Sequence, residues 1–402
     1  MSVQESINTR LIYKILNKLK LIKLYDYCSV IIQFFSRKSK FLINYNKDNI
    51  KVFFPYYSHY THPVILQRYY KKKRPLSWST LKSSKVAHLI QGASPEYFGK
   101  KIIIEPNDHC LVIGTSLGIF EPFELVSRRK EISDYIVSSV SRVLIGNNEL
   151  INHAKYYFCE EAVKKFLIYP EMACVPAITK DFLEKKYNQL LSGRKIKFLS
   201  IASDFKKKAV ELLLEAFIES QTSAELILVC HNVPDNLKKQ ILKFKNIFLI
   251  ENLPLSNKMR DQLYKQSDVY INTTYIDGGA VANNALEYGL PIITHTYHRG
   301  HSYIENDNGI LLSEPMKYYD PKGYGILWNS IEGYLDQVIL FKKKGGYSEV
   351  HEQMINAIRH YEKQPSNILK EGIRSLELAK KNSLEKSNQV LIDLYKQVVI
   401  EK

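Results

Sequence analysis

The sequence predicts an α/β chain of two doubly wound domains, and three observations predict it. Short apolar runs recur along the chain, helical patterns separate them in the second half, and the runs fall into two blocks. The first block is "IKVFFP" (50–55), "VAHLI" (86–90), "KIIIE" (101–105), "VLIG" (143–146) and "FLIY" (166–169). The second is "KFLSIA" (197–202), "ELILVC" (225–230), "IFLI" (247–250), "DVYIN" (268–272), "PIIT" (291–294) and "GILL" (309–312). Continuous apolar runs of this length, without polar alternation, suit parallel strands covered on both faces. Between the later ones lie "AVELLLEAFIES" (209–220), "DNLKKQILKF" (235–244) and "NKMRDQLYKQ" (257–266), whose apolar residues follow helical spacing. Strand and helix therefore alternate, which places helices on both sides of each sheet, with the join near residues 172–196. The tail from about Ile326 to Ile400 reads as mostly helical.

At 402 residues the chain is long enough for two such cores, and 45% hydrophobic with 12% aromatic residues fits a folded protein rather than a disordered one. Its five cysteines, Cys28, Cys110, Cys159, Cys174 and Cys230, form no CxxC pair or Cys/His cluster, so no structural zinc site is expected. They read as reduced thiols of a cytoplasmic protein. The sequence shows neither a secretory leader pattern nor an apolar run near the ~20 residues that span a bilayer.

The net charge of +16 is concentrated at one end: residues 1–101 hold 19 Lys/Arg against four Asp/Glu. Within them "RLIYKILNKLKLIKL" (10–24) puts Leu11, Ile12, Ile15, Leu16, Leu19 and Ile22 on one helical face and Arg10, Lys14 and Lys18 on another. "RKSK" (37–40) and "KKKR" (71–74) add two basic clusters. A solvated face is the plain reading. The functional one is attraction of residues 1–101 to an anionic membrane surface, worth roughly 1 kcal/mol per basic residue. The aromatic and basic "YYKKKRPLSW" (69–78) could also stack bases, but no nucleic-acid motif accompanies it and no nucleic acid is expected.

One turn stands out. In "YIDGGAVANNALEYGLP" (275–291) two glycines follow the strand-like "SDVYINTT" (267–274) and precede the helix-like "ANNALEYG" (282–289), which Gly289 and Pro291 close. A plain strand-to-helix turn is one reading. The other is an anion site, because glycines let a ligand approach the main chain and a helix start offers free N–H groups to a phosphate.

Three ordered blocks of the second half resemble the nucleotide-binding domain of family 4 glycosyltransferases: "FLSIASDFKKKAVELLLEAF" (198–217), "YKQSDVYINTTYIDGGAVANNALEYGLPIIT" (264–294) and "YIENDNGILL" (303–312). The tail "NSLEKSNQVLIDLYKQVV" (382–399) is similar to that family's last helix, which crosses back onto the first domain. In the first domain the similarity is mainly in "IIIEPNDH" (102–109) and in "VLIGNNELINHAKYYF" through "FLIYP" (143–170). The resemblance implies the GT-B fold, two Rossmann-like domains facing a cleft. The expected boundaries are a basic amphipathic segment at 1–48, an acceptor domain at 49–175, a nucleotide-sugar domain at 176–375 and the crossover helix at 376–402.

It also implies a metal-independent, retaining hexosyltransferase, using a nucleotide-diphosphate sugar as donor substrate and no other cofactor. The acceptor would be a glycan or lipid-linked hydroxyl in surface polysaccharide, lipopolysaccharide or glycolipid assembly, at the inner face of the membrane. Carried over by position, Lys208 matches the lysine that neutralises the donor diphosphate, and Glu287 the acid that binds the ribose. An ordinary first-turn lysine and a solvated helix acid are the plain alternatives. Ser203 stands where the family has an arginine, and serine cannot form that planar bidentate clamp. Gly279 stands where the family has its first acid, eight residues before Glu287. Asp277 is then expected to hold the donor sugar, with Gly278, Gly279 and Ala280 forming the close backbone approach. His109, at a strand end of the first domain, matches an active-site histidine, and Asn107 and Asp108 share its loop. The departures at Ser203 and Gly279 leave a catalytically silent binding or assembly protein as the alternative.

Overall fold

The computed structural model describes residues 41–45, 50–54, 85–90, 100–106, 127–146, 148–169, 174–206, 208–251, 254–273, 279–295, 303–305, 307–313, 331–343, 345 and 347–401. The chain divides into two units, the first running to Glu171 and resumed at Glu385–Lys402, the second beginning at Met172 and ending at Leu384.

The first unit begins with β1 (Phe41–Tyr45), β2 (Ile50–Phe54), β3 (Val86–Ile90) and β4 (Lys101–Glu105), followed by helix α1 (Arg129–Ser139) and β5 (Val140–Ile145). Then come α2 (Asn148–Tyr157), the single turn α3 (Glu160–Val163) and β6 (Phe166–Ile168). The described strands form one sheet in chain order, β1 to β6. β1 pairs antiparallel with β2, from Phe41 opposite Phe54 to Tyr45 opposite Ile50, and the other pairs are parallel. β4 is an unbroken apolar run because both its faces are covered, with Ile102, Ile103 and Ile104 all buried. The strand β1 was not expected: "FLINY" sits among basic residues, inside the segment read as an amphipathic one.

The second unit opens with α4 (Lys180–Leu191), capped by Thr179, whose hydroxyl accepts from the Phe182 N–H at 3.3 Å. It continues through β7 (Lys197–Ala202), α5 (Val210–Glu219), β8 (Glu225–Cys230), α6 (Asp235–Ile241) and β9 (Ile247–Ile250). Next are α7 (Asn257–Gln266), β10 (Val269–Asn272), α8 (Gly279–Glu287), β11 (Ile292–His295) and β12 (Gly309–Leu312). Helices α9 (Ile331–Lys343), α10 (Ser348–Lys363) and α11 (Ser366–Lys381) complete it. Its sheet is wholly parallel, in the order β12-β11-β10-β7-β8-β9. Alternate strand residues enter two cores. Phe198, Leu226, Ile271 and Ile293 pack with Leu213 of α5 and Met354 of α10, whereas Leu199, Ile227, Tyr270 and Ile292 pack with Leu286 of α8 and Leu378 of α11. The sheet is therefore covered on both faces, as the doubly wound reading requires.

At the amino end of β10 the wholly buried Asp268 is held by both Arg194 guanidinium nitrogens (2.9 and 2.7 Å) and by the Lys197 N–H at 2.8 Å. Lys186 stands 3.8 Å away, and burial lowers its ammonium to about 8 against the pull of Asp268.

Helix α12 (Leu384–Ile400) ends the chain and lies in the first unit from Glu385 onward. Leu391, Leu394, Tyr395 and Val398 form one core with Val86, Ile103 and Leu144. Tyr395 shares a 2.7 Å hydrogen bond with His88 Nδ1, and His88 Nε2 lies 3.2 Å from Glu105, all three side chains buried. The expected helix start at 376 falls inside α11, which runs on to Lys381 before the helix is interrupted at Asn382 and Ser383.

Candidate functional site

In the second sheet the chain order reverses between β7 and β10. From β7 the strands proceed outward to β8 and β9, and from β10 to β11 and β12. Crossovers on the two sides consequently leave toward opposite faces, and a crevice opens where they part, outside the carboxyl ends of β7 and β10. The residues after those two strands are 203–209 and 273–278.

A direct bond joins the two loops: the Thr273 hydroxyl donates to the Lys208 carbonyl at 2.8 Å. Ser203 is exposed directly after β7, and Lys208 is half-buried with its N–H on the Asp204 carbonyl at 3.2 Å. Ala209 then takes a left-handed conformation (φ 48°, ψ 34°) and α5 starts without a side-chain cap. A left-handed alanine costs roughly 1–2 kcal/mol, so the surrounding turn holds it there. The Val210 N–H that opens α5 is taken by the Phe205 carbonyl at 3.2 Å, but the positive end of the helix dipole lies beside the crevice, an arrangement suited to an anion.

The other loop leads into α8. The helix begins at Gly279, with Ala280 next, three residues ahead of the expected start at 282, because Ala280 and Val281 extend it backward. Gly279 thus belongs to the helix start rather than to the turn. Asp277 and Gly278 lie outside the described residues, as do His109, Asn107 and Asp108.

Glu287 ends α8 and is 4% exposed, which excludes the solvated-acid reading. Its Oε1 accepts from the Val175 N–H at 2.8 Å, and its carbonyl accepts from the Ala177 N–H at 2.8 Å. The same segment is held from the other side, since Cys174 exchanges backbone bonds of 3.0 Å with Asn382 and Leu384. Glu287 therefore fastens α8 to the two stretches of chain that begin and end this unit. The start of α8 is about 12 Å away along the axis, eight residues at 1.5 Å each. Ser203, Lys208 and the opening of α8 flank the crevice, and Glu287 stands apart from them.

Sequence reasoning missed Thr273 and His295. Thr273 is the last residue before the undescribed part of the glycine loop, and its signal was its place just past a strand end. His295 ends β11, the strand next to β10, and is 1% exposed. Its Nδ1 lies 3.1 Å from the Ser313 carbonyl, and burial lowers the imidazole to about 4. Close by, Asn272 donates to the Thr294 hydroxyl at 3.2 Å. No group of three or more His, Cys, Asp or Glu side chains among the described residues is placed to hold a metal ion.

Residues 181–361 match the family model described as glycosyl transferases group 1. The match covers less than half of the chain and falls in the second unit. The solved structures the chain is similar to have the GT-B fold. HepE from Anabaena, crystallised with UDP and glucose, superposes with a TM-score of 0.50 at 10% identity, over 83% of this chain and 82% of that one. An α,α-trehalose-phosphate synthase (UDP-forming) from Burkholderia vietnamiensis gives 0.50 at 10% identity, over 83% and 81%. Against TarM the score is 0.46 at 13% identity, and the chain spans 55% of that protein's length. No curated protein sequence matches. The matched residues include the whole of β7, α5, β10 and α8, so the crevice described above lies within the match.

Proposed function

We propose that the protein is a retaining glycosyltransferase that moves a sugar from a nucleotide diphosphate to an acceptor hydroxyl in surface polysaccharide or glycolipid assembly. One observation carries this reading: the strand-order reversal between β7 and β10, bridged by the bond from Thr273 to Lys208 beside an uncapped helix start. Lys208 and the positive end of the α5 dipole would bind the diphosphate and stabilise its growing charge as it leaves. In the transfer the bond from the anomeric carbon to the phosphate oxygen breaks. A bond to the acceptor oxygen forms on the same face, and the departing phosphate takes the acceptor proton, so the step calls on neither metal nor dedicated base. Asp277 would hold sugar hydroxyls, and His109 would act on the reacting sugar. The basic residues 1–101 would hold the enzyme on anionic membrane at its cytoplasmic face, a property read by salt-sensitive sedimentation with acidic liposomes.

A second reading, a catalytically silent binding protein, is favoured by the burial of Glu287 on Val175, which takes the remaining family acid into a structural bond. Incubation of the full chain with a panel of nucleotide sugars and membrane extract, in chelator, separates the two. Release of nucleoside diphosphate together with a product retaining the anomeric configuration is expected. Binding of nucleotide sugars with neither transfer nor hydrolysis would leave the silent reading standing.

A further inference from the structure

A second ligand contact at the same crevice follows from His295. In the parallel ladder Asn272 of β10 is level with Thr294 of β11, so the next pair along is Thr273 and His295. Ile271 and Ile293, two residues earlier on each strand, both enter the core beneath α5, so Thr273 and His295 lie on that face, at the carboxyl end. Thr273 reaches the Lys208 carbonyl from there, at the start of α5. His295 is thus the neighbour of the residue that bridges the two crevice loops.

Its protonation is set by its partner. A carbonyl can only accept, so the bond to the Ser313 carbonyl puts the hydrogen on Nδ1 and leaves a bare lone pair on Nε2. Burial keeps the ring neutral. Nε2 is itself buried and has no hydrogen-bond partner. An orphaned buried acceptor is unfavourable, which gives a ligand donor something to restore. The phosphates of a nucleotide cannot be that donor, because they only accept and carry the same electron-rich character as the lone pair. A hydroxyl can.

Resting on the glycosyltransferase reading, we propose that His295 Nε2 accepts a hydrogen bond from a hydroxyl of the bound nucleotide sugar, on the ribose or on the transferred sugar. His295 is then a specificity determinant that checks for a hydroxyl next to the diphosphate.

The test compares wild type, His295→Asn and His295→Gln by calorimetric titration with UDP, GDP, ADP and their glucose or mannose conjugates. Thermal unfolding of each variant verifies its fold. Asparagine keeps a donor for Ser313 but ends short of the Nε2 position; glutamine can place its amide oxygen there. The expected result is a loss of about tenfold in affinity for His295→Asn, the size of one hydrogen bond, largely recovered in His295→Gln. A loss confined to the nucleotide sugar assigns the contact to the transferred sugar, and an equal loss for the bare nucleotide assigns it to ribose. Unchanged affinity of folded His295→Asn for both ligand types overturns the proposal while leaving the function reading intact. Wild type that binds none of the panel overturns the function reading and the contact with it.

Discussion

Glu287 shows how a residue can be found in the sequence for one reason and placed by the fold for another. Its position marks it as a candidate ribose acid, but it is 4% exposed and bonded to the Val175 N–H at 2.8 Å. Position along the chain could not show this, because the partner is 112 residues away. Glu287→Ala is accordingly expected to lower unfolding stability by about 1.5–3 kcal/mol, the range for a hydrogen bond to a charged group, with less than threefold change in nucleotide affinity. Urea denaturation and calorimetry on the same samples read both; large affinity loss at unchanged stability would return Glu287 to the ribose. His295 gives a prediction in pH. Its folded value of about 4 lies below the 6.5 of an exposed imidazole, so on acidification the unfolded chain takes the proton first. The contribution is complete above about pH 6.5 and is lost as the pH falls through about 4, on the order of 3 kcal/mol in full. Stability curves of wild type and His295→Gln should therefore converge or cross between those limits, and parallel curves would mean that the imidazole is not buried neutral.

Among the elements, the continuous strands were the most legible. "VAHLI", "KIIIE", "KFLSIA", "ELILVC", "IFLI" and "GILL" coincide with β3, β4, β7, β8, β9 and β12; covering on both faces explains the runs of β4, β7 and β8, whereas the edge strands β9 and β12 leave Phe248 and Leu311 exposed. "NKMRDQLYKQ" coincides with α7 because its ends are marked, by the Ser256 cap that accepts from the Met259 N–H and by Ser267. The strand β1 was missed because "FLINY" stands inside the basic segment read as amphipathic; in the sheet it is the end strand, paired antiparallel with β2. Least legible was helix packing by backbone contact. Gly289, at φ 59°, closes α8, and a Cβ on Gly372 of α11 would come within 2.5 Å of the Gly289 carbonyl oxygen. Alanine in place of a helical glycine normally gains up to about 1 kcal/mol. Here the clash is with backbone, and overpacking of about 1–3 kcal/mol wins. Gly372→Ala is expected to unfold at lower temperature than wild type by circular dichroism; a raised midpoint would show that the α8–α11 contact can open at no cost.

At the scale of the whole molecule, the two-block pattern of runs was enough to reach two parallel α/β units, and three ordered motifs were enough to reach the GT-B class. The strand order was not legible, since periodicity says which runs are strands and nothing of their neighbours. That order supplies the central claim, because the reversal between β7 and β10 selects one crevice out of all the loops of the second unit. The most direct measurement is calorimetric titration of nucleoside diphosphates and of the matching nucleosides into wild type and Lys208→Ala. The account predicts that wild type binds a diphosphate, and that Lys208→Ala loses at least about tenfold for it, as expected for a charge-assisted contact, while nucleoside binding is unchanged. Equal affinity of wild type and Lys208→Ala for every diphosphate would contradict it.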